Sequence, residues 1–223
     1  MPADNRKDNL TIISANVRGL QTNIGDLNHS YIIPHNPDII ATVETFLNPS
    51  IPNNFGKIKG YSAWHRRDRV HNTFGGIAVC FRDSLAVIAL DINMEEHLEL
   101  SFFKLWTRNM DTILLCVCYH PQWQGSDPIN YIYGNLDSLL LQHSCKHFIM
   151  LGDLNQHLVE RSFQELLTDY GLTNYVDIPT HISGSSLDGP RHHRPSRGSD
   201  HLSSSRYGGL LRPHSCVHHH HIC

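Results

Sequence analysis

Four apolar segments follow one another between residues 75 and 119 with no helix-length spacer among them: GGIAVCF (75–81), LAVIAL (85–90), LELSFFKLW (98–106) and TILLCVCY (112–119). Each is short, rich in β-branched and aromatic side chains, and bounded by charged or turn-forming residues, which is the pattern of a strand. The first two stand close enough for a hairpin. A doubly wound parallel sheet needs a crossover helix after nearly every strand, so this run excludes one. The expected class is α/β of the α+β type, with two mostly antiparallel sheets packed together and helices outside.

The flanking segments fit that plan. LTIISANV (10–17) reads as a buried first strand, and Leu20, Ile24, Leu27 and Tyr31 repeat at helical spacing until Pro34 stops them. DIIATVETF (38–46) is another short strand. Asp127 with Pro128 opens a helix whose apolar stripe includes Ile129, Ile132, Leu136 and Leu140. A strand at 146–151 follows, and then a helix with Ser162 and Glu165 as a capping box and Gly171 as its close.

Hydrophobic content of 40% and charged content of 17% describe a globular chain, and 223 residues favour one large domain. No apolar run approaches bilayer length, and MPADNRKDNL is too polar for a secretory leader, so no membrane partner is expected. Cys80, Cys116, Cys118 and Cys145 sit in or beside apolar segments without metal-site spacing, as reduced thiols of an intracellular protein do. Charge is uneven. Residues 1–188 hold 13 Lys and Arg against 20 Asp and Glu, a net of −7, whereas residues 189–223 carry five Arg, one Asp and eight of the 18 histidines. An acidic body does not grip nucleic acid over its whole surface; phosphates would be met locally, by a metal ion or a few arginines.

Polar groups collect where apolar runs end. Asn16 closes LTIISAN, Glu44 lies near the end of IIATVETF, Tyr119 ends TILLCVCY, and Asp153 with Asn155 ends FIMLGDLN. Each alone can be read as a turn former, a solvated end or a rim aromatic. Together they suit hydrolysis of a phosphodiester. Magnesium takes oxygen ligands and keeps part of its water shell, so Glu44 could hold it. Asp153 could orient the attacking water and accept its proton, and Asn155, Asn16 and the Tyr119 hydroxyl could meet charge growing on the phosphoryl oxygens. The cluster Arg66, Arg67 and Arg69 has two readings, a solvated loop balanced by Asp68 or a contact to backbone phosphates.

N-V-R-G (16–19), V-E-T-F-L (43–47), F-G-G-I-A-V (74–79), Y-H-P (119–121), G-D-L-N (152–155) and P-T-H-I-S-G-S-S-L-D (179–188) occur in one order. This order resembles the endonuclease/exonuclease/phosphatase superfamily, specifically the apurinic-like endonuclease domain of non-LTR (LINE-type) retrotransposons, over residues 10–188. The resemblance implies a four-layer sandwich and a nuclear enzyme. It would use Mg2+, or Mn2+, to hydrolyse one DNA strand and leave a 3′-hydroxyl for target-primed reverse transcription. The implied partners are the DNA backbone, a linked or parental reverse transcriptase and the element's RNA. By the same resemblance Glu44 is the metal-binding glutamate and Asn16 the asparagine beside it. Tyr119 contacts phosphate, Asp153 orients water, and Asn155 is its phosphate-site partner. Thr180 precedes a substrate-facing loop, Asp188 orients a late catalytic histidine, His201 is the only match to that histidine, and Asp200 is a second metal-side carboxylate.

The pattern breaks after Asp188. GPRHHRPSRGS (189–199) contains no Val, Ile, Thr, Tyr, Phe or Trp and has two prolines, so the family's next strands are not encoded there. Three explanations stand: a shifted reading frame, an internal deletion that keeps Ser-Asp-His, or a genuine His-rich tail. The expected organisation is a disordered stretch at 1–9, the domain at 10–188 with its last strands missing, and a disordered Arg/His/Ser-rich tail at 189–223. Impaired activity is expected to follow.

Overall fold

The strands of this computed structural model form two mixed sheets. The structure describes residues 10–69, 74–155, 158–175, 210–211 and 217–221. Strands β1 (Leu10–Asn16), β2 (Ile39–Val43), β3 (His65–Arg67) and β4 (Ile77–Phe81) belong to the first sheet. The second holds β5 (Val87–Leu90), β6 (Glu99–Trp106), β7 (Thr112–Tyr119), β8 (His147–Asp153) and β9 (Thr173–Asn174). The tail nevertheless supplies two short strands, β10 (Leu210–Leu211) between β8 and β9 and β11 (Val217–His221) parallel along β1. On the β9 side the second sheet thins to two-residue strands among the described residues, the shortfall expected from the strand-poor 189–199 segment.

Most pairings are antiparallel, as expected, but besides β1–β11 the pairs β1–β2 and β7–β8 run parallel. Helix α1 (Leu20–Leu27) makes the first crossover, continuing through a π-helical turn at Asn28–Ile32 into α2 (Ile33–His35). Pro34 therefore lies just inside the helical segment, and left-handed Asn36 ends it. Helix α3 (Asp127–Gln142) makes the second crossover, and α4 (Glu160–Tyr170) packs beside it. Such parallel pairs require a connection long enough to return the chain to the starting edge.

Three apolar layers explain why the strands read as continuous runs. Ile12, Ile39, Val79 and Phe81 of the first sheet meet Phe103, Ile113, Leu115 and Val117 of the second. On the far side of the second sheet Leu114, Cys116, Cys118 and Phe148 pack against Ile132, Leu136, Phe163 and Leu166 of α3 and α4. On the far side of the first sheet Ala15, Ile40 and Cys80 lie under Leu20, Leu27, Tyr61 and Trp64. Both faces of each sheet are covered, so alternation has no polar side to show. Cys116 and Cys118 share one face as inert core thiols; burial pushes both well above the ordinary thiol range.

Several local expectations are corrected. β4 and β5 are not a hairpin: Arg82 ties the end of β4 to Asp38, through Nε–Oδ1 at 3.0 Å, and the chain then crosses to the other sheet. The Arg66 and Arg67 segment is an edge strand paired with Ala78 and Ile77, not an irregular loop. Asp127 is the first helical residue rather than the cap, which is Ser126. Ser162 lies inside α4, and Glu165 bonds Arg161 one turn earlier at 3.0 Å, so no capping box forms. Among the described residues no helix is long and apolar enough to cross a membrane.

Candidate active site

The parallel pairings β1–β2 and β7–β8 place four strand ends at one edge. Asn16 pairs in register with Val43, so Glu44 emerges beside it, and Tyr119 pairs with Asp153. An antiparallel arrangement would send these ends to opposite edges. The loops after β1 and β2 are then sewn together: Val17 N–H donates to the Val43 carbonyl at 3.0 Å, Gly19 N–H to Glu44 at 2.8 Å, and Leu20 N–H to Thr45 at 2.8 Å. Arg18, Glu44, Phe46 and Asn155 all adopt positive φ, between 40° and 53°. Left-handed backbone at non-glycine residues is held only where surrounding contacts determine it, and here it clusters on the turns that carry the polar groups.

Side chains bridge the sheets at this edge. The Tyr119 hydroxyl donates to Glu44 Oε1 at 3.1 Å, and Asn16 Nδ2 donates to Asp153 Oδ2 at 3.3 Å. Asn16 Oδ1 in turn accepts from Arg18 N–H at 3.2 Å, which fixes the amide's orientation. The Asp153 carboxyl is pushed up to about 6, chiefly by burial and further by the negative charge of Glu44; hydrogen bonds from Asn16 and the Asn155 backbone partly oppose that rise. The Tyr119 phenol is raised by burial and then by Glu44, so it remains a neutral donor at physiological pH.

The G-D-L-N segment is tied to Y-H-P by a buried histidine that sequence reasoning left without a task. His120 is fully buried; Nδ1 faces the Leu154 carbonyl at 2.8 Å and Nε2 faces Gly125 at 2.5 Å. Its backbone N–H donates to the Asp153 carbonyl at 2.8 Å, and its own carbonyl accepts from Asn155 Nδ2 at 2.7 Å. Asn155 thus holds Asp153 with its backbone and His120 with its side chain. Gly152 explains the glycine of the motif. Its φ is 122°, and a Cβ there would lie 1.9 Å from the Cys118 carbonyl oxygen, so β8 approaches β7 too closely for any side chain. The strand accordingly runs through Gly152 to Asp153 instead of ending at Leu151.

The arginines separate. Arg66 serves its own segment: it bonds Asp68 and donates to the carbonyls of Ile51 at 2.8 Å and Asn48 at 2.9 Å. Arg67 is the last, half-buried residue of β3. Arg69 reaches the site. It bonds buried Glu99, Nε to Oε1 at 2.8 Å, and lies 5.8 Å from the Tyr119 ring centroid. Glu99, in register with Tyr119, also accepts from Gly76 N–H at 2.6 Å. This carboxylate was a second omission, although a Glu inside the apolar run LELSFF signals a buried partner. Thr180, Asp188, Asp200 and His201 lie outside the described residues.

Among the described residues no group of three or more His, Cys, Asp and Glu is arranged to hold a metal. The oxygen-rich set of Glu44, Asp153, Asn16 and Tyr119 still fits a hard cation, since Mg2+ keeps several waters and needs one or two carboxylates. The sequence matches the Endonuclease/Exonuclease/phosphatase family over residues 13–210. The chain belongs to this family. Among solved structures, the catalytic domain of human Nocturnin with bound sulfate anion superimposes with a TM-score of 0.57 at 14% identity, over 90% of this chain and 81% of that one. The AP endonuclease LMAP from Leishmania major gives 0.52 at 17% identity, over 74% of this chain. This family member spans 66% of that endonuclease, just under two thirds. At these identities the likeness is one of fold. No curated protein matches the sequence.

Proposed function

We propose that the chain is a metal-dependent phosphoester hydrolase of the endonuclease/exonuclease/phosphatase family that acts on nucleic acid. The observation that carries this reading is the pair of bridges, Tyr119 to Glu44 and Asn16 to Asp153, which draws both carboxylates into one cluster between the sheets. Glu44, with Asp153 beside it, would hold Mg2+ or Mn2+; when bound, the ion supplies positive charge against a phosphoryl oxygen. Asp153, ionised above about pH 6, orients a water and takes its proton. Asn16 keeps that carboxylate aimed, and Asn155 and His120 fix the turn that carries it. The Tyr119 hydroxyl carries one proton: it donates to Glu44 in this state and, once Glu44 serves the ion, would be a neutral donor for the phosphate. Removing one such donor elsewhere costs about 2.7–4 kcal/mol of transition-state stabilisation.

The narrower reading is a DNA endonuclease that leaves a 3′-hydroxyl for target-primed reverse transcription, with a reverse transcriptase and element RNA as partners. The order of the six motifs supports it. Thr180 as a substrate contact, Asp188 and His201 as an acid–base pair, and Asp200 as a further metal ligand belong to this reading. The tail beyond Asp188 would make turnover slow. Supercoiled plasmid incubated with Mg2+ tests both levels. Slow nicking that disappears in Glu44→Ala and Asp153→Ala supports the endonuclease. Hydrolysis of a nucleotide or lipid phosphate without nicking moves the substrate within the family. DNA binding without Mg2+-dependent cutting of any phosphoester overturns the enzyme.

A further inference from the structure

Trp123 is 64% exposed, although large aromatic rings are usually covered. It rides on a 3-10 turn, Gln122–Gln124, which follows Tyr119 after two residues. The turn is anchored: Gln124 is buried, its amide donates to the His97 carbonyl, and its N–H donates to Pro121 at 3.1 Å. The Arg69 guanidinium lies over the ring, 5.9 Å from its centroid, and over Tyr119 at 5.8 Å. One cation therefore links an open tryptophan to the tyrosine whose hydroxyl meets Glu44.

Arg69 is neutralised by Glu99, so it is spent on arranging the rings rather than on clamping a phosphate. The body is also acidic, with a net charge of −7 over residues 1–188, so diffuse attraction for a polyanion is weak. Affinity for a nucleic acid then needs a different source, and base stacking on an aromatic face is one that charge does not govern. Resting on the proposed action on nucleic acid, we propose that Trp123 is the stacking platform for the nucleobase beside the scissile phosphodiester. Tyr119 and Trp123 flank the same guanidinium, so a nucleotide whose phosphate meets the Tyr119 hydroxyl has the exposed indole on its side of the site. Glu99 and Arg69 act through Trp123 as positioning residues.

The test compares two fluorescein-labelled oligomers of equal charge and roughly twelve units, oligothymidylate and a chain of tetrahydrofuran abasic units, by anisotropy in EDTA. The wild-type chain is expected to favour oligothymidylate by on the order of tenfold. Trp123→Ala should erase that preference and leave the abasic affinity unchanged, while Trp123→Phe should restore most of it. Unchanged oligothymidylate binding by Trp123→Ala, or an equal loss on both oligomers, overturns the platform alone. A wild-type chain that binds neither oligomer, in EDTA or with Ca2+ in its place, overturns both the platform and the nucleic-acid substrate.

Discussion

The Tyr119 hydroxyl lies 3.1 Å from Glu44 Oε1, a contact 75 positions apart in the chain between the end of β7 in one sheet and the residue that follows β2 of the other. It makes the phenol a structural clasp in this state and a candidate phosphate donor once Glu44 serves the ion. Tyr119→Phe removes both. The variant is expected to lose about 100-fold or more in kcat, from the loss of one transition-state donor, and about 1 kcal/mol of stability. Steady-state hydrolysis and urea unfolding of the same preparation check the two numbers.

Asp153 carries a stability penalty that follows from its function. Its carboxyl is held at about 6 in the fold, above the ordinary 3.8, with burial as the main cause. The native state therefore binds this proton more tightly than the unfolded chain does. Its contribution favours the fold below the unfolded value and is lost as pH rises through about 6; at pH 7 the loss is on the order of 2–3 kcal/mol. Asp153→Asn keeps the Asn16 contact and cannot ionise. It is expected to melt several degrees higher than wild type at pH 7 in EDTA, with no such advantage near pH 4, and to be inactive. Calorimetry at both pH values decides it.

Gly152 admits no replacement. Ala at this position forces a side chain into the Cys118 carbonyl and also demands an unfavourable φ of 122°. Gly152→Ala should destabilise by more than about 3 kcal/mol, seen as loss of the cooperative unfolding transition in urea.

Glu99 and Arg69 form an ion pair with side-chain exposures of 6% and 17%. Glu99→Leu strands a guanidinium and the Gly76 N–H, and should cost about 3 kcal/mol. Adding Arg69→Leu should recover part of that loss. A double variant no more stable than the single one would remove the pairing as the reason for the cost.

The strand ends that carry Asn16, Glu44, Tyr119 and Asp153 were legible because abrupt polarity after an apolar run is a local signal. What gathers them was not. Parallel pairing of β1 with β2 and of β7 with β8 depends on crossovers, and both-face burial erased the alternation that would have shown each strand's partners. β4 and β5 read as a hairpin for the same reason: a short spacer does not reveal that Arg82 is anchored to Asp38 while the chain changes sheets. Arg66 looked available because its acceptors are backbone carbonyls at Asn48 and Ile51, which no side-chain pattern announces. His120 left a weak trace, a histidine between Tyr119 and Pro121, but its partners come from the turns at Leu154 and Gly125.

Glu44 and Asp153 are read as one centre built for a single divalent cation, and Mn2+ titration followed by electron paramagnetic resonance addresses that most directly. Wild type, Glu44→Ala and Asp153→Ala are compared with the His-rich tail intact in all three, so that any ion held there cancels. The expected result is one ion per chain displaced by Mg2+, with affinity reduced at least about tenfold in both variants. Equal Mn2+ affinity in all three chains would contradict a shared metal centre.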